Sequence, residues 1–289
     1  MIVYAQGQLG NQLFGLACAL HLSEKSRYKI YLLLTDDELY QKVRRVAKRE
    51  LKSIGIEVCQ WRHRKKILDF IFRFQEKWLI SNQNTALARI LGRACLTLDP
   101  PWQPLRAVFK SNLKNTVIRG YFQDPDMVEA LSSKSIEIMC KILEKSKSSA
   151  RAGDQAIIGV HLRRGDYCDI SEYGTLSVGY FQNVISELAQ KPTKIYFASD
   201  DVECLKTFPS DSQSHFLWPE LYSPLNTIEI LAAVNTFIMS NSTFSFWIGW
   251  HVSLNGGTVI APRPWFKSAS VPENYLYLGS FEKRQSDFD

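Results

Sequence analysis

Short apolar runs recur along the 289-residue chain, in two spacings. Ile2-Val3-Tyr4-Ala5 predicts a strand, Gly7 to Gln12 a glycine loop, and Leu13 to Leu22 a helix, so the chain opens on a βα unit. Lys29 to Leu34 predicts a second strand, closed by Asp36-Asp37. From Gln41 to about Arg119 long basic stretches and the proline-rich break Asp99 to Pro104 leave the pattern unassigned. At the end of this region Val117 to Tyr121 predicts a strand. Asp126 to Lys147 then predicts one long helix, running into the polar stretch Lys145 to Asp154, where the domain boundary is expected.

Beyond that boundary the alternation is regular. Strands are predicted at Ile157 to Leu162, Lys194 to Ala198, Phe216 to Trp218, Thr236 to Ser240 and Thr258 to Ala261. Helices are predicted at Tyr180 to Gln190, Val202 to Thr207, Thr227 to Val234 and Thr243 to Val252. This is the pattern of a doubly wound parallel sheet, whose ligands bind beyond the carboxyl ends of its strands.

Composition narrows the class. Hydrophobic residues at 45% and charged residues at 22% suffice for a core and exclude a disordered chain. The six cysteines are too evenly spread for a zinc site and are expected as free thiols. Met1 to Gln6 lacks the basic and apolar regions of a secretory signal, so a reducing cytoplasm is expected. No apolar run reaches the roughly 18 residues of a membrane span.

The net charge of +6 is uneven. Gln41 to Lys66 holds ten Lys or Arg against Glu50 and Glu57, a local +8 that leaves −2 for the remainder. Basic charge confined to one segment does not fit a general nucleic-acid binder.

The strand ends carry the chemistry. Arg163-Arg164-Gly165-Asp166-Tyr167 follows the first strand of the second half, where two guanidinium forks can hold phosphate oxygens and Asp166 can orient one of them. The alternative is a structural ion cluster. Ser199-Asp200-Asp201 follows the next strand and offers carboxylates to guanine or ribose, or else a helix cap. These adjacent aspartates lack the separated Asp-x-Asp arrangement of metal-dependent sugar transferases, so no metal is expected. Asn241 to Trp247 places Ser242, Thr243 and Ser245 at a helix N-terminus, an anion site or plain capping. Asn241-Ser242-Thr243 also matches a glycosylation sequon, for which no modification is expected at a buried site. Gly7 to Gln12 is neither a Walker loop nor a full dinucleotide fingerprint, and its Asn11 and Gln12 are candidates for reaching a phosphate or an acceptor hydroxyl.

Taken together, Gly7 to Phe14 (GQLGNQLF), His161 to Tyr167 (HLRRGDY), Ser199 to Asp201 and Ser240 to Trp247 (SNSTFSFW) resemble the bacterial α-1,2-fucosyltransferases in content and order. The His-x-Arg-Arg-x-Asp element is shared with α-1,6- and protein O-fucosyltransferases. The resemblance implies an α/β, GT-B type glycosyltransferase with two Rossmann-like domains facing a cleft: residues 1–150 on the acceptor side, residues 151–289 binding the GDP-sugar. It implies metal-independent, inverting transfer of L-fucose from GDP-β-L-fucose to the 2-OH of a terminal galactose in a glycan, including lipid-linked glycans of the O-antigen kind.

Carried over, Arg163 binds the β-phosphate and stabilises departing GDP, supported by Arg164 and Asp166. His161 and Asp200 lie near guanosine, Ser242, Thr243 and Phe244 hold the diphosphate, and Asn11 faces the reacting centre. Gly10, Ser199 and Ser245 complete the donor-binding set. A general base is not identified, with Asp166, Asp169 and Glu172 nearest the motif.

Three rival readings are a fucosyltransferase of other acceptor or linkage, a non-catalytic GDP-sugar binder and a basic RNA-binding protein. One segment carries a reading of its own. Arg62 to Ile80 has basic residues flanking Leu68, Ile71, Phe72, Trp78 and Leu79 on one helical face. That is either a core helix with a solvated end or a helix docking at the anionic inner face of a membrane.

Overall fold

A computed structural model describes residues 1–60, 95–98 (backbone only), 116–144, 156–188, 193–269 and 276–289. Two compact units emerge, Met1–Ile142 and Leu143–Asp289. Each holds its own parallel sheet. The segments 62–80, 99–104 and 145–154 singled out above lie outside the described residues.

In the first unit β1 (Ile2–Ala5), β2 (Ile30–Leu34), β3 (Ile56–Gln60), β4 (Cys95–Leu98) and β5 (Val117–Gly120) lie in the order β3-β2-β1-β5-β4, every neighbour parallel. Burial on two faces explains why β2 reads as an unbroken apolar run rather than an alternation. Helix α1 (Leu9–Lys25) follows β1 and is buried almost all round from Leu9 to Leu22. It packs so closely on β1 that a Cβ on Gly15 would collide with Ala5.

The helix starts one turn before the expected Leu13. Gly7, at φ +83°, completes the turn out of β1, so that Leu9, Leu13, Leu16 and Leu20 bury one continuous stripe. Gly10, Asn11 and Gln12 are therefore helical, not loop, residues.

The region left unassigned by pattern contains α2 (Asp37–Val46), capped by Asp36, whose carboxylate accepts from Leu39 N at 2.8 Å, then α3 (Lys48–Ser53) and β3. The single helix expected from Asp126 to Lys147 is two, α4 (Pro125–Glu129) and α5 (Ser133–Leu143). Pro125 sits in the first turn of α4 with Asp124 as cap. Ser132 breaks the run by accepting from Ser135 N at 3.3 Å.

The second unit has β6 (Ile157–Leu162), β7 (Lys194–Ser199), β8 (Ser214–Leu217), β9 (Thr236–Ile238), β10 (Thr258–Arg263) and β11 (Glu282–Gln285), in the all-parallel order β11-β10-β9-β6-β7-β8. Helices α6 (Val178–Leu188), α7 (Val202–Leu205), α8 (Pro224–Leu231) and α9 (Thr243–Leu254) connect them. From β6 the chain winds outward one way to β8, then crosses back to β9 and winds the other way. The switch point therefore falls between β6 and β9, the place beyond the strand ends where sheets of this kind bind their ligands. One face of this sheet packs through Val160, Leu162, Phe197, Ile238 and Ile260 against Tyr180, Phe181 and Phe208. β11 was invisible to pattern because all four of its residues are exposed.

Candidate active site

Two adjacent arginines leave the carboxyl end of β6, and the turn after them divides their partners. Arg163 donates from Nη1 to Asp200 Oδ2 at 2.6 Å and from Nη2 to Asp166, and its guanidinium stands over the Tyr167 ring at 5.3 Å. Arg164 turns to other groups. Its Nη1 meets Asp289 Oδ2 at 2.8 Å and Leu176 O at 3.3 Å, and its Nε faces Asp201 Oδ2 at 3.5 Å. The two forks assigned jointly to phosphate thus hold separate carboxylate sets.

The turn itself is tied down by backbone. Tyr167 N and Cys168 N donate to Arg164 O, and Arg164 N donates to Asp200 Oδ1 at 2.8 Å, so Asp200 braces both the turn and Arg163. Gly165, at φ +21°, lies where any Cβ would press on Asp200 Oδ2. Only glycine admits that approach. Burial pushes the Tyr167 phenol well above its ordinary range, so it packs as an uncharged ring beside Tyr173, which stacks in turn on Phe266.

His161 lies at the end of β6 facing the N-terminus of α9. Its Nδ1 is 2.6 Å from Ser245 Oγ and 3.2 Å from Ser240 Oγ, and its ring lies 4.8 Å from that of Phe244. Burial, then the nearby Arg163 charge, lowers its pKa from 6.5 to about 3, so the imidazole is neutral at ordinary pH. Ser242 caps α9 by accepting from Ser245 N at 3.1 Å. Asn241, wholly buried, donates to Gly174 O at 3.1 Å, and its Oδ1 has no hydrogen-bond partner.

Of the residues singled out by sequence, the second unit brings together His161, Arg163, Arg164, Asp166, Ser199, Asp200, Ser242, Thr243, Phe244 and Ser245 around the β6–β9 switch point. Several have internal duties that sequence alone did not separate from ligand binding. Ser199 Oγ accepts from Asp201 N at 3.0 Å, Ser245 is engaged with His161, and Ser242 is a cap. Of the four residues at the start of α9, Thr243 and Phe244 are half-exposed, while Ser242 and Ser245 are buried; Asp166 and Asp200 are the exposed members of the whole set.

Gly10 and Asn11 belong to the first unit, in the first turn of α1. Asn11 Oδ1 accepts from Gln123 Nε2 at 2.6 Å. Gln12, proposed alongside Asn11 as a reaching group, is instead buried. Its Oε1 accepts from Thr35 N and Asp36 N at 2.8 and 3.0 Å, its Nε2 donates to Gly7 O, and it ties α1 to the end of β2. Asp289 was missed altogether, because nothing in local pattern links the tail to a motif 125 residues earlier.

Residues 105–279 match the model of Glycosyl transferase family 11. The chain belongs to glycosyl transferase family 11. This glycosyltransferase is 22% identical to the Escherichia coli O-antigen biosynthesis glycosyltransferase WbnK over 94% of its own length and 98% of the relative's. It is 30% identical to an Escherichia coli alpha-1,2-colitosyltransferase over 38% of its length and 41% of the relative's. Among solved structures it is similar to the NodZ alpha-1,6-fucosyltransferase soaked with GDP-fucose, at 14% identity and a TM-score of 0.46, covering 87% of this chain and 91% of that one. The family match spans the His161, Ser199 and Asn241 segments of the transferase. It stops short of the Gly7 to Phe14 segment.

Proposed function

We propose that the transferase moves L-fucose from GDP-β-L-fucose to the 2-OH of a terminal galactose in a glycan, with inversion and without a metal. The observation that carries this reading is Arg163, held by Asp166 and Asp200 at the switch point of the second sheet, beside the N-terminus of α9. A leaving diphosphate needs donors placed before charge develops, and an arginine fixed by two carboxylates beside a helix N-terminus supplies them.

In the reaction the acceptor oxygen forms a bond to fucose C1 as the C1–O bond to the β-phosphate breaks. The electron pair leaves with GDP, and the acceptor proton passes to a base or to water. Arg163 stabilises the departing diphosphate. His161, neutral and fixed through Nδ1, shapes the guanosine side without adding charge, and Thr243 and Phe244 receive the diphosphate at the start of α9. Asn11, in the first turn of α1, is the candidate group on the acceptor side.

The O-antigen relative supports a bacterial surface glycan as acceptor, and the colitosyl relative supports the 1,2 linkage. It also favours a second reading, in which colitose replaces fucose in the donor. Incubation with the guanosine-diphosphate forms of fucose and of colitose and a panel of β1,3- and β1,4-galactosides, followed by linkage analysis, tests both. An α-1,2-fucosylated galactose is the expected product. Another linkage, or no transfer from either donor, overturns the reading. Turnover is expected to survive excess EDTA, and a loss restored by magnesium or manganese would refute the metal-free step.

A further inference from the structure

The tail Ser286–Asp289 is stitched residue by residue to the loops around the site. Ser286 N donates to Arg263 O at 2.9 Å and its hydroxyl to Pro264 O at 2.9 Å. Ser177 donates from its backbone to Asp287 O at 3.0 Å and from its hydroxyl to Asp287 Oδ2 at 2.6 Å. Phe288 packs on the core of the second unit and bridges Leu176. Asp289 N donates to Thr175 O at 3.0 Å, and Lys267 Nζ donates to Asp289 O at 2.7 Å. Gly174, at φ +69°, lets this pass so close that a Cβ would stand 2.8 Å from the Phe288 ring.

At the end of this seam Asp289 Oδ2 takes the Arg164 guanidinium at 2.8 Å. Arg164 is also the residue whose backbone closes the turn carrying Arg163 and Asp166: its carbonyl accepts from Tyr167 N and Cys168 N, and its N–H donates to Asp200. A carboxylate that fixes the side chain therefore fixes the turn.

We propose that Asp289 is a positioning residue, which acts through Arg164 to hold the 163–168 turn in the form that presents Arg163. Asp201, at 3.5 Å from Arg164 Nε, is the weaker of the two carboxylates on this side chain. Asp201 has another duty as the cap of α7, where its Oδ1 accepts from Glu203 N at 2.9 Å, which leaves Asp289 as the dedicated partner. The catalytic consequence rests on the reading of Arg163 given above. The structural consequence does not.

The test uses the full chain with Asp289→Ala, the near-isosteric Asp289→Asn and the charge-keeping Asp289→Glu. Hydrogen exchange of the Arg164, Tyr167 and Cys168 amides, measured without donor, is expected to quicken about tenfold in the Ala and Asn variants, the scale of losing one charge-assisted bond at a partly exposed site. It should return to within about threefold in the Glu variant. Turnover is expected to fall by a similar factor in kcat, with little change in acceptor KM. Combined with Arg164→Ala, the effects should be non-additive, the double variant being no worse than Arg164→Ala alone.

Unchanged exchange in both the Ala and Asn variants overturns the proposal. So does a kcat loss that adds to that of Arg164→Ala. If the wild type fails to transfer sugar, the proposed function fails, while the exchange of the turn still decides the role of Asp289.

Discussion

Arg163 and Arg164 are neighbours in sequence with separate duties in the structure. One is aimed by Asp166 and Asp200, the other is anchored by Asp289 and Leu176 O. Arg163→Ala removes the donor and is expected to lower kcat by about 100- to 1000-fold, the cost of removing one preorganised donor to developing negative charge. Arg163→Lys keeps the charge but cannot bridge two carboxylates with a planar fork, so it should recover only part of that loss. Steady-state kinetics on the folded variants decides, and near-normal turnover by the Ala variant would remove Arg163 from its role.

His161 yields a pH prediction. Its folded pKa of about 3 lies below its unfolded value of 6.5, so between these limits the unfolded chain binds a proton that the native state refuses. The associated stability is present above pH 6.5 and is lost as pH falls toward 3, by up to about 1.4 kcal/mol per pH unit. Melting from pH 7 to pH 5 should therefore cost the wild type about 2 kcal/mol more than His161→Asn. Parallel pH curves for the two would mean that the imidazole is not buried neutral.

At the scale of elements, the turn Arg163 to Asp169 and the first turn of α9 form the site's frame. Gly165→Ala places a Cβ against Asp200 and should cut turnover at least about tenfold while costing only about 1–3 kcal/mol of stability, as strain at one residue does. An intact kcat with the Ala variant would show that Asp200 yields freely.

These elements were legible to differing degrees, for identifiable reasons. β6, β7, β9 and β10 sit between helices and are buried on two faces, so their apolar runs marked them to within a residue or two, and the strand ends marked the site. α1 was shortened by a turn because Gly10 and Asn11 read as loop residues, whereas they lie in the first turn of the helix, begun by Leu9 of the buried stripe. Ser132 divides an amphipathic run through a single hydroxyl, which periodicity does not register. β11 has no apolar residue at all and exists because β10 offers it a ladder. Within the site, the types and order of residues were readable, and the division of partners between Arg163 and Arg164 was not. That division depends on Asp200 and Asp289, which are brought in by strand register and by the tail.

The whole molecule concentrates its basic charge in the first unit. Among the described residues, α2 and α3 carry Arg44, Arg45, Lys48, Arg49 and Lys52 on the surface, with Glu50 turned to Lys141. No described helix is long and apolar enough to cross a membrane. Each basic side chain near an anionic leaflet contributes roughly 1 kcal/mol, attenuated beyond the screening length. Four of them would suffice for a reversible attachment that high salt removes.

Flotation with vesicles rich in phosphatidylserine should therefore recover the wild type at low salt and not at about 0.5 M, where the Debye length falls below about 5 Å. Changing Arg44, Arg45, Lys48 and Arg49 to Gln should reduce recovery at least about tenfold. Changing Arg62, Arg64, Lys65 and Lys66 to Gln reports on the neighbouring segment, and neither set should alter turnover on a soluble acceptor. Equal recovery of the wild type and both variants at low salt would mean that this charge serves no membrane.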